Sequence, residues 1–361
     1  MQGTRVSIVA AVAGLLAIGG ASAAAAVPRA ADPSWRIVAK VKTDISGEFT
    51  AIAATGKTTA WAFDGTGSTI APRAYQLSGG KWNKAPFIGK LDEQVIAAGA
   101  TSPSDVWAFT QGFGAAKSRV LHWNGAKWSV VKTFADEIGD AAVLAATDIW
   151  VFGQAAFPMQ PALGVWHYNG STWTQVSKNL QGGSALSATD VWGFSGVDVE
   201  HWTGGKWVAT SVKKLLPPVI PGPLNDPQVT GIFAYSDSDV YALGNGVAED
   251  EGGPIVVLHY DGRTWAKVAE GQFGFGPSPQ ISTDGTGGLW LPMQGPVAGT
   301  SYLLHYAAGK LTPAVLPVGV HEITIDSVAR IPGTTEQLAG GSTHAADNPG
   351  TDVVAVLLRY S

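Results

Sequence analysis

A chain of 361 residues with 45% hydrophobic and 14% charged side chains is long enough to bury a core that needs no covalent staple. It has no cysteine, which excludes disulfides, thiolate metal sites and acylation through a lipoprotein cysteine. Its 28 acidic and 23 basic residues give a net charge of −5 with no basic cluster, a poor match for nucleic acid or anionic lipid.

The first predicted element is a leader. Arg5 precedes an apolar run from Val6 to Gly20 and the small-residue stretch Ala21-Ser22-Ala23-Ala24-Ala25-Ala26. This order is that of a secretory signal peptide over residues 1–26, cleaved after Ala23 or Ala26. The apolar run is shorter than the ~20 residues of a spanning helix, and there is no twin arginine, so general secretion is expected. Residues 27–34 read as a short linker. Residues 35–361 contain no comparable apolar run and read as one extracellular domain, a monomer with no integral membrane segment.

From Trp35 onward one pattern recurs with a period in the forties. Its first half is a turn, an acid and an aromatic: Ser104-Asp-Val-Trp107, Thr147-Asp-Ile-Trp150, Thr189-Asp-Val-Trp192 and Ser238-Asp-Val-Tyr241. The second half is a glycine-centred hairpin, as in His122-Trp-Asn-Gly-Ala-Lys-Trp128 and His259-Tyr-Asp-Gly-Arg-Thr-Trp265. Glycine and asparagine accept the positive φ angles of such turns. Paired aromatics and glycine turns at this period predict an all-β, seven-bladed β-propeller.

Three landmarks mark each unit. The first is Trp61, Trp107, Trp150, Trp192, Tyr241, Trp290 and Leu338, expected at the end of the second strand. The next is Gln76, His122, His167, His201, His259, His305 and Arg359 in the third strand. The third opens the outer strand: Trp82, Trp128, Trp173, Trp207, Trp265, Leu311 and, out of order, Trp35. The chain thus begins with an outer strand and ends with a unit that lacks one, so the N-terminal strand is expected to close the last blade. Closure removes sheet edges that invite aggregation.

The recurring residues read as scaffold. Large rings in nearly every unit suit the wedge between blades. The turn aspartates Asp105, Asp148, Asp190 and Asp239 are expected to accept backbone N–H bonds. Equivalent histidines on neighbouring blades sit on the order of 10–15 Å apart, given ~4.8 Å between strands, and cannot share one metal ion. Each is expected to hydrogen-bond a neighbouring blade, and no metal or other cofactor is expected.

Function is expected where the repeats differ. The second-to-third-strand landmarks lie 9 residues apart at Trp192–His201 and 18 apart at Tyr241–His259, and the connections between blades vary too. Alternating strand direction places both sets of connections on one face. A proline-rich insertion, Lys213–Pro227, and an acidic loop, Glu249–Gly253, lie there beside the short Ser195–Asp198 turn, which would leave room for a ligand. Candidate ligand-binding residues are Pro218, Pro221, Asn225, Asp226, Glu249, Asp250 and Glu251. His344 and Asp347 join them from a stretch of the last unit read as a long loop. Prolines suit the insertion to a preformed lip. No nucleophile elbow, phosphate loop or metal-binding helix motif appears, and catalytic residues are not identifiable.

The hairpins, together with the Ser/Thr-Asp-Val-Trp turns, resemble those of secreted actinobacterial β-propeller repeat proteins of kelch-like or galactose-oxidase-central-domain-like architecture. The resemblance spans nearly the whole of 35–361 and implies an extracellular seven-bladed propeller. Galactose oxidase's copper chemistry requires a cysteine–tyrosine crosslink, which this chain cannot form. The kelch glycine doublet is met only in part, at Gly79-Gly80 before Trp82. Two functions remain in view. One is a binding module presenting a loop-rich face to a polysaccharide or protein; the other is a glycan-active hydrolase or lyase with carboxylates at the channel mouth.

Overall fold

A computed structural model describes residues 33–361 except 43–46, 66–70, 113–115, 154–162, 219–225, 247–252, 273–274, 278–279, 295–300, 318–320 and 346–352. The expected leader and most of the linker lie outside the described residues.

Seven antiparallel sheets follow one another along the chain and close into a ring, a seven-bladed β-propeller. Blade 1 is built from Glu48–Gly56, Thr59–Gly65, Arg73–Ser78 and Lys81–Ala85. Blades 2 to 6 span 93–134, 138–177, 182–211, 228–272 and 275–313. In each, strands one to four run outward from the axis in sequence order. Blade 6 departs in one respect: its inner strand is split into Phe275–Pro277 and Ser282–Thr283, both paired with Leu289–Gln294. Blade 7 takes three strands, His321–Arg330, Gln337–Ala345 and Val354–Tyr360, from the end of the chain. Its outer strand is Trp35–Lys42, antiparallel to Val354–Tyr360 with Trp35 opposite Tyr360. The expected closure is therefore present.

Residue choice explains the layering. Second strands lie between two neighbours and are covered on both faces, so Val106, Trp107, Ala108 and Phe109 are all buried. Outer strands face water: in Trp128–Phe134 only the two terminal aromatics are buried and the residues between them are exposed or half-buried. The two halves of the repeat also touch. A Cβ on hairpin Gly125, at φ 88°, would lie 2.9 Å from the Ser104 Cβ, and one on Gly170, at φ 91°, 2.7 Å from the Thr147 Cγ2. The hairpin glycine is therefore required twice, by backbone conformation and by the turn packed against it.

One landmark moves. Trp107 is the third residue of Asp105–Gly112 and Trp150 the third of Asp148–Gly153, so the aromatic stands near the start of the second strand, not its end. The reason is the turn: only two residues separate the first strands of blades 1 to 5 from the second, and the aspartate already begins the strand.

Candidate functional site

The face carrying the short turns is locked by a repeated contact. Trp107 pairs with His122, Trp150 with His167, Trp192 with His201, Tyr241 with His259 and Trp290 with His305. Each imidazole stacks on its aromatic partner at 3.9–4.5 Å between centroids. Its Nε2 donates to the turn carboxylate of the same blade: Asp105 at 2.6 Å, Asp148 at 2.8 Å, Asp190 at 2.7 Å, Asp239 at 2.8 Å and Asp284 at 2.9 Å. The histidines therefore bond within their own blade, where a neighbouring blade was expected, because the cross-strand register sets each ring directly above its turn. The aspartates likewise receive side-chain donors in place of the expected backbone ones, including Trp107 Nε1 on Asp105 and Trp150 Nε1 on Asp148. Asp284 alone among the five also takes backbone N–H groups, from Thr286 and Gly288. Burial pushes its carboxyl up, but these bonds and His305 outweigh it and hold the acid below its usual range. Asp284 escaped the sequence motif because five residues separate it from Trp290, whereas Asp105 and Trp107 are separated by one. Blade 7 places Glu336 and Arg359 in the same arrangement, bonded at 2.9 Å.

The tryptophans serve the seams. Trp61 meets Trp128 of blade 2 edge-on at 5.3 Å, Trp192 meets Trp265 of blade 5 at 6.1 Å, and Trp35 meets Trp290 of blade 6 at 5.3 Å.

On the opposite face the variable connections emerge. The base of the proline-rich insertion is anchored: Val212 and Leu216 are buried, and the N–H of Val212 bonds the Val197 carbonyl at 3.0 Å. Pro218 and Asp226 are exposed at the two ends of the insertion. The Ser195–Asp198 turn is tied to the next blade, where Gly196 accepts from Val229 N–H at 2.7 Å, and the space beside Gly196 is open, with nothing within 4 Å of where a Cβ would stand. Pro221, Asn225, Glu249, Asp250, Glu251 and Asp347 lie outside the described residues. His344 is not in a loop: its backbone belongs to the strand Gln337–Ala345, opposite Glu322, because the pairing extends further than the repeat period suggested.

At the axis, the innermost strands surround a cavity of about 320 Å³. Its wall is mainly small: Ala97, Ala98, Ala141, Ala142, Gly183, Ser184, Ala185, Ala234 and Ala329. Asp140 is the one ionisable side chain among the lining residues. Its carboxylate accepts the N–H groups of Ala141, at 2.7 Å, and of Gly183 in the next blade, while burial pushes its acid up to about 8. Register shows why it stands out. The positions opposite the residue two beyond the second-strand landmark are Ala51, Ala97, Asp140, Gly182, Gly231 and Ser327. All but Asp140 are small. In blade 6 the same register continues to Gln280, whose Nε2 reaches the Ile96 carbonyl of blade 2 at 2.5 Å.

Charged groups gather at the loop-side ends of blades 1, 2 and 7. Arg119 pairs with Glu93, both buried, through Nε at 2.6 Å and through Nη2, which also reaches the Ile88 carbonyl. Arg73 Nε donates to Asp64 at 2.8 Å. Burial lifts Asp64 above the usual carboxylate range despite Arg73. It lifts Glu48 as well, with the charge of Asp64 adding to the effect. Asp326, at a bulge of His321–Arg330, is raised by burial and then by Glu48.

No family profile matches the chain, and no curated protein matches it. Among solved structures it is similar to YCF48 from Cyanidioschyzon merolae, with 11% identity and a TM-score of 0.57 over 91% of this chain and 98% of that one. It is similar to YCF48 bound to D1 peptide at 13% identity, with a TM-score of 0.55 over 90% and 96% of the two chains. U3-55K matches at 11% identity with a TM-score of 0.53 over 90% and 99%. What is shared is the propeller fold.

Proposed function

We propose that this protein is a secreted, non-catalytic binding module that holds a segment of another protein at the loop-side end of the ring. The observation that carries this reading is the division between faces. One is locked by the same carboxylate–imidazole–aromatic contact in blades 2 to 6 and has two-residue turns in blades 1 to 5, while the longest and most variable connections emerge on the other, around the axial cavity. Binding residues concentrate in such variable connections on a rigid frame. A protein segment is favoured over a polysaccharide because the repeat aromatics, which sugars would need as platforms, are spent in the seams: Trp61, Trp107, Trp150 and Trp192 are buried. A propeller of similar fold is bound to a peptide, YCF48 with D1 peptide. Secretion rests on the leader at 1–26, and the resemblance to extracellular actinobacterial propellers agrees with it.

The test is a peptide array probed with residues 27–361 and with a variant whose 217–226 segment is replaced by a short Gly-Ser linker. Binding by the first and loss in the second is expected. Equal binding by both would sink the reading.

A second reading, a glycan-active enzyme, is favoured by one observation: Glu48 and Asp326, on adjoining blades 1 and 7, are both raised by burial and by a neighbouring carboxylate, the direction in which a general acid is tuned. Product release from cell-wall polysaccharides that is abolished in Glu48→Gln would replace the binder with an enzyme.

A further inference from the structure

We propose that the axial cavity is a subsite for one primary ammonium group of the bound segment, such as a lysine side chain, with the Asp140 carboxylate as its counter-charge. This rests on the binding-module reading and names the chemistry that the module selects.

Composition of the wall comes first. The inner strands Glu48–Gly56, Glu93–Ser102, Ile138–Ala145, Gly182–Ser187, Gln228–Ser236 and His321–Arg330 each end their sheets, with a neighbour on the outer side only. Their inward edges therefore present backbone carbonyls that no ladder uses, and small side chains leave that edge accessible. Gln280 spends its Nε2 on Ile96, so its Oε1 is left as an acceptor. The Ser184 hydroxyl accepts from Ala234 N–H at 3.1 Å. An ammonium brings three donors and no acceptor, which suits one carboxylate among carbonyl-type oxygens.

The volume agrees. At about 320 Å³ the cavity holds roughly ten waters at ~30 Å³ each, enough for an alkyl chain with its charged head. Ammonium is favoured over guanidinium because Asp140 already takes two backbone N–H groups. That leaves it poorly placed for the bidentate fork that gives arginine its advantage.

Charge decides between cation and neutral ligand. Asp140 is the only ionisable lining group among the described residues. The charges on the elements packed around it are already matched or bonded: Glu93 with Arg119, Asp148 with His167, and Glu137 by Gln111 Nε2 at 2.9 Å. Burial keeps the empty site protonated below about pH 8. An entering alkylammonium keeps its own proton and the carboxyl proton leaves to solvent, so affinity rises with pH towards 8.

The experiment titrates residues 27–361 with n-butylammonium and its neutral isostere n-butanol by calorimetry at pH 8. Saturable binding of the ammonium is expected, with butanol at least about tenfold weaker, the scale of one charge-assisted contact. Asp140→Asn keeps an oxygen for Ala141 and Gly183 but lowers ammonium affinity at least about tenfold. Glu200→Gln, in blade 4 and outside the cavity, leaves it unchanged. Absence of ammonium binding, equal binding of butanol, or full affinity in Asp140→Asn overturns the proposal. Should that variant fail to fold, Ala97→Leu narrows the cavity with the carboxylate intact and is expected to abolish binding. Peptides that bind equally well without lysine sink the subsite and leave the module standing; butylammonium binding with no peptide bound does the reverse.

Discussion

The imidazole of His201 lies on the indole of Trp192 with centroids 3.9 Å apart and planes 7° from parallel. Its Nε2 is held by Asp190. Replacing His201 by Ala removes a hydrogen bond to a charged acceptor and a stacked ring, and about 1–3 kcal/mol of stability should go with them. Urea unfolding checks this. His201→Gln should lose less, since blade 1 sets Gln76 opposite Trp61. Peptide binding should not change, because these residues lie on the face away from the variable connections.

Glu93 and Arg119 form a buried pair. Breaking such a pair from one side strands a charge, so Arg119→Met should cost about 3–5 kcal/mol. Glu93→Leu combined with Arg119→Met should recover most of that loss, because desolvation then disappears with both charges. A double-mutant cycle followed by thermal melting measures it; a double variant no better than the worse single one would contradict the account.

Trp35 is 4% exposed and touches both Trp290 and Tyr360. Trp35→Ala should destabilise by about 3–5 kcal/mol. Deleting 35–42 should do something different in kind. It bares the edge of Val354–Tyr360, and bare edges pair with other chains. Light scattering after size exclusion should show multimers for the deletion and monomers for Trp35→Ala.

The Asp140 acid is raised to about 8 in the fold, from an ordinary value near 3.8. Between those limits the folded state holds more protons than the unfolded one, so stability falls as pH rises. The contribution of Asp140 is full below about pH 4 and is lost as pH passes 8. Melting temperatures of Asp140→Asn should therefore decline less from pH 5 to pH 9 than those of the unaltered protein. Parallel slopes would show that the carboxyl does not titrate as its surroundings require.

Much of this was open to sequence because a propeller repeats its register as well as its residues. Trp107 and His122 recur with their partners since the cross-strand positions recur, and the displaced Trp35 disclosed ring closure directly. The bonding partners were less legible. A histidine 17 residues after Asp105 faces it only once the turn and the hairpin are known to end on the same side. Asp140 and Gln280 were missed for another reason. They break the repeat at the inner edge of their blades, Asp140 within an inner strand and Gln280 between the two pieces of a split one, at a position held by Ala, Gly or Ser in the other blades, whereas loop lengths point to Glu249 and Asp347. Aligning the inner strands by their bulges, rather than by their aromatics, brings both residues into view.

Arg36 and Ser361, joined at the closing strand, are 325 positions apart. Ribosomal synthesis runs from one end, so Trp35–Lys42 is made long before Val354–Tyr360, the strand it pairs with. Throughout elongation the nascent chain carries an orphan strand, and loop-closure entropy for that final pairing must be met in one step. Loss of Val354–Tyr360 therefore acts at a distance along the chain: it unseats residues translated more than three hundred codons earlier.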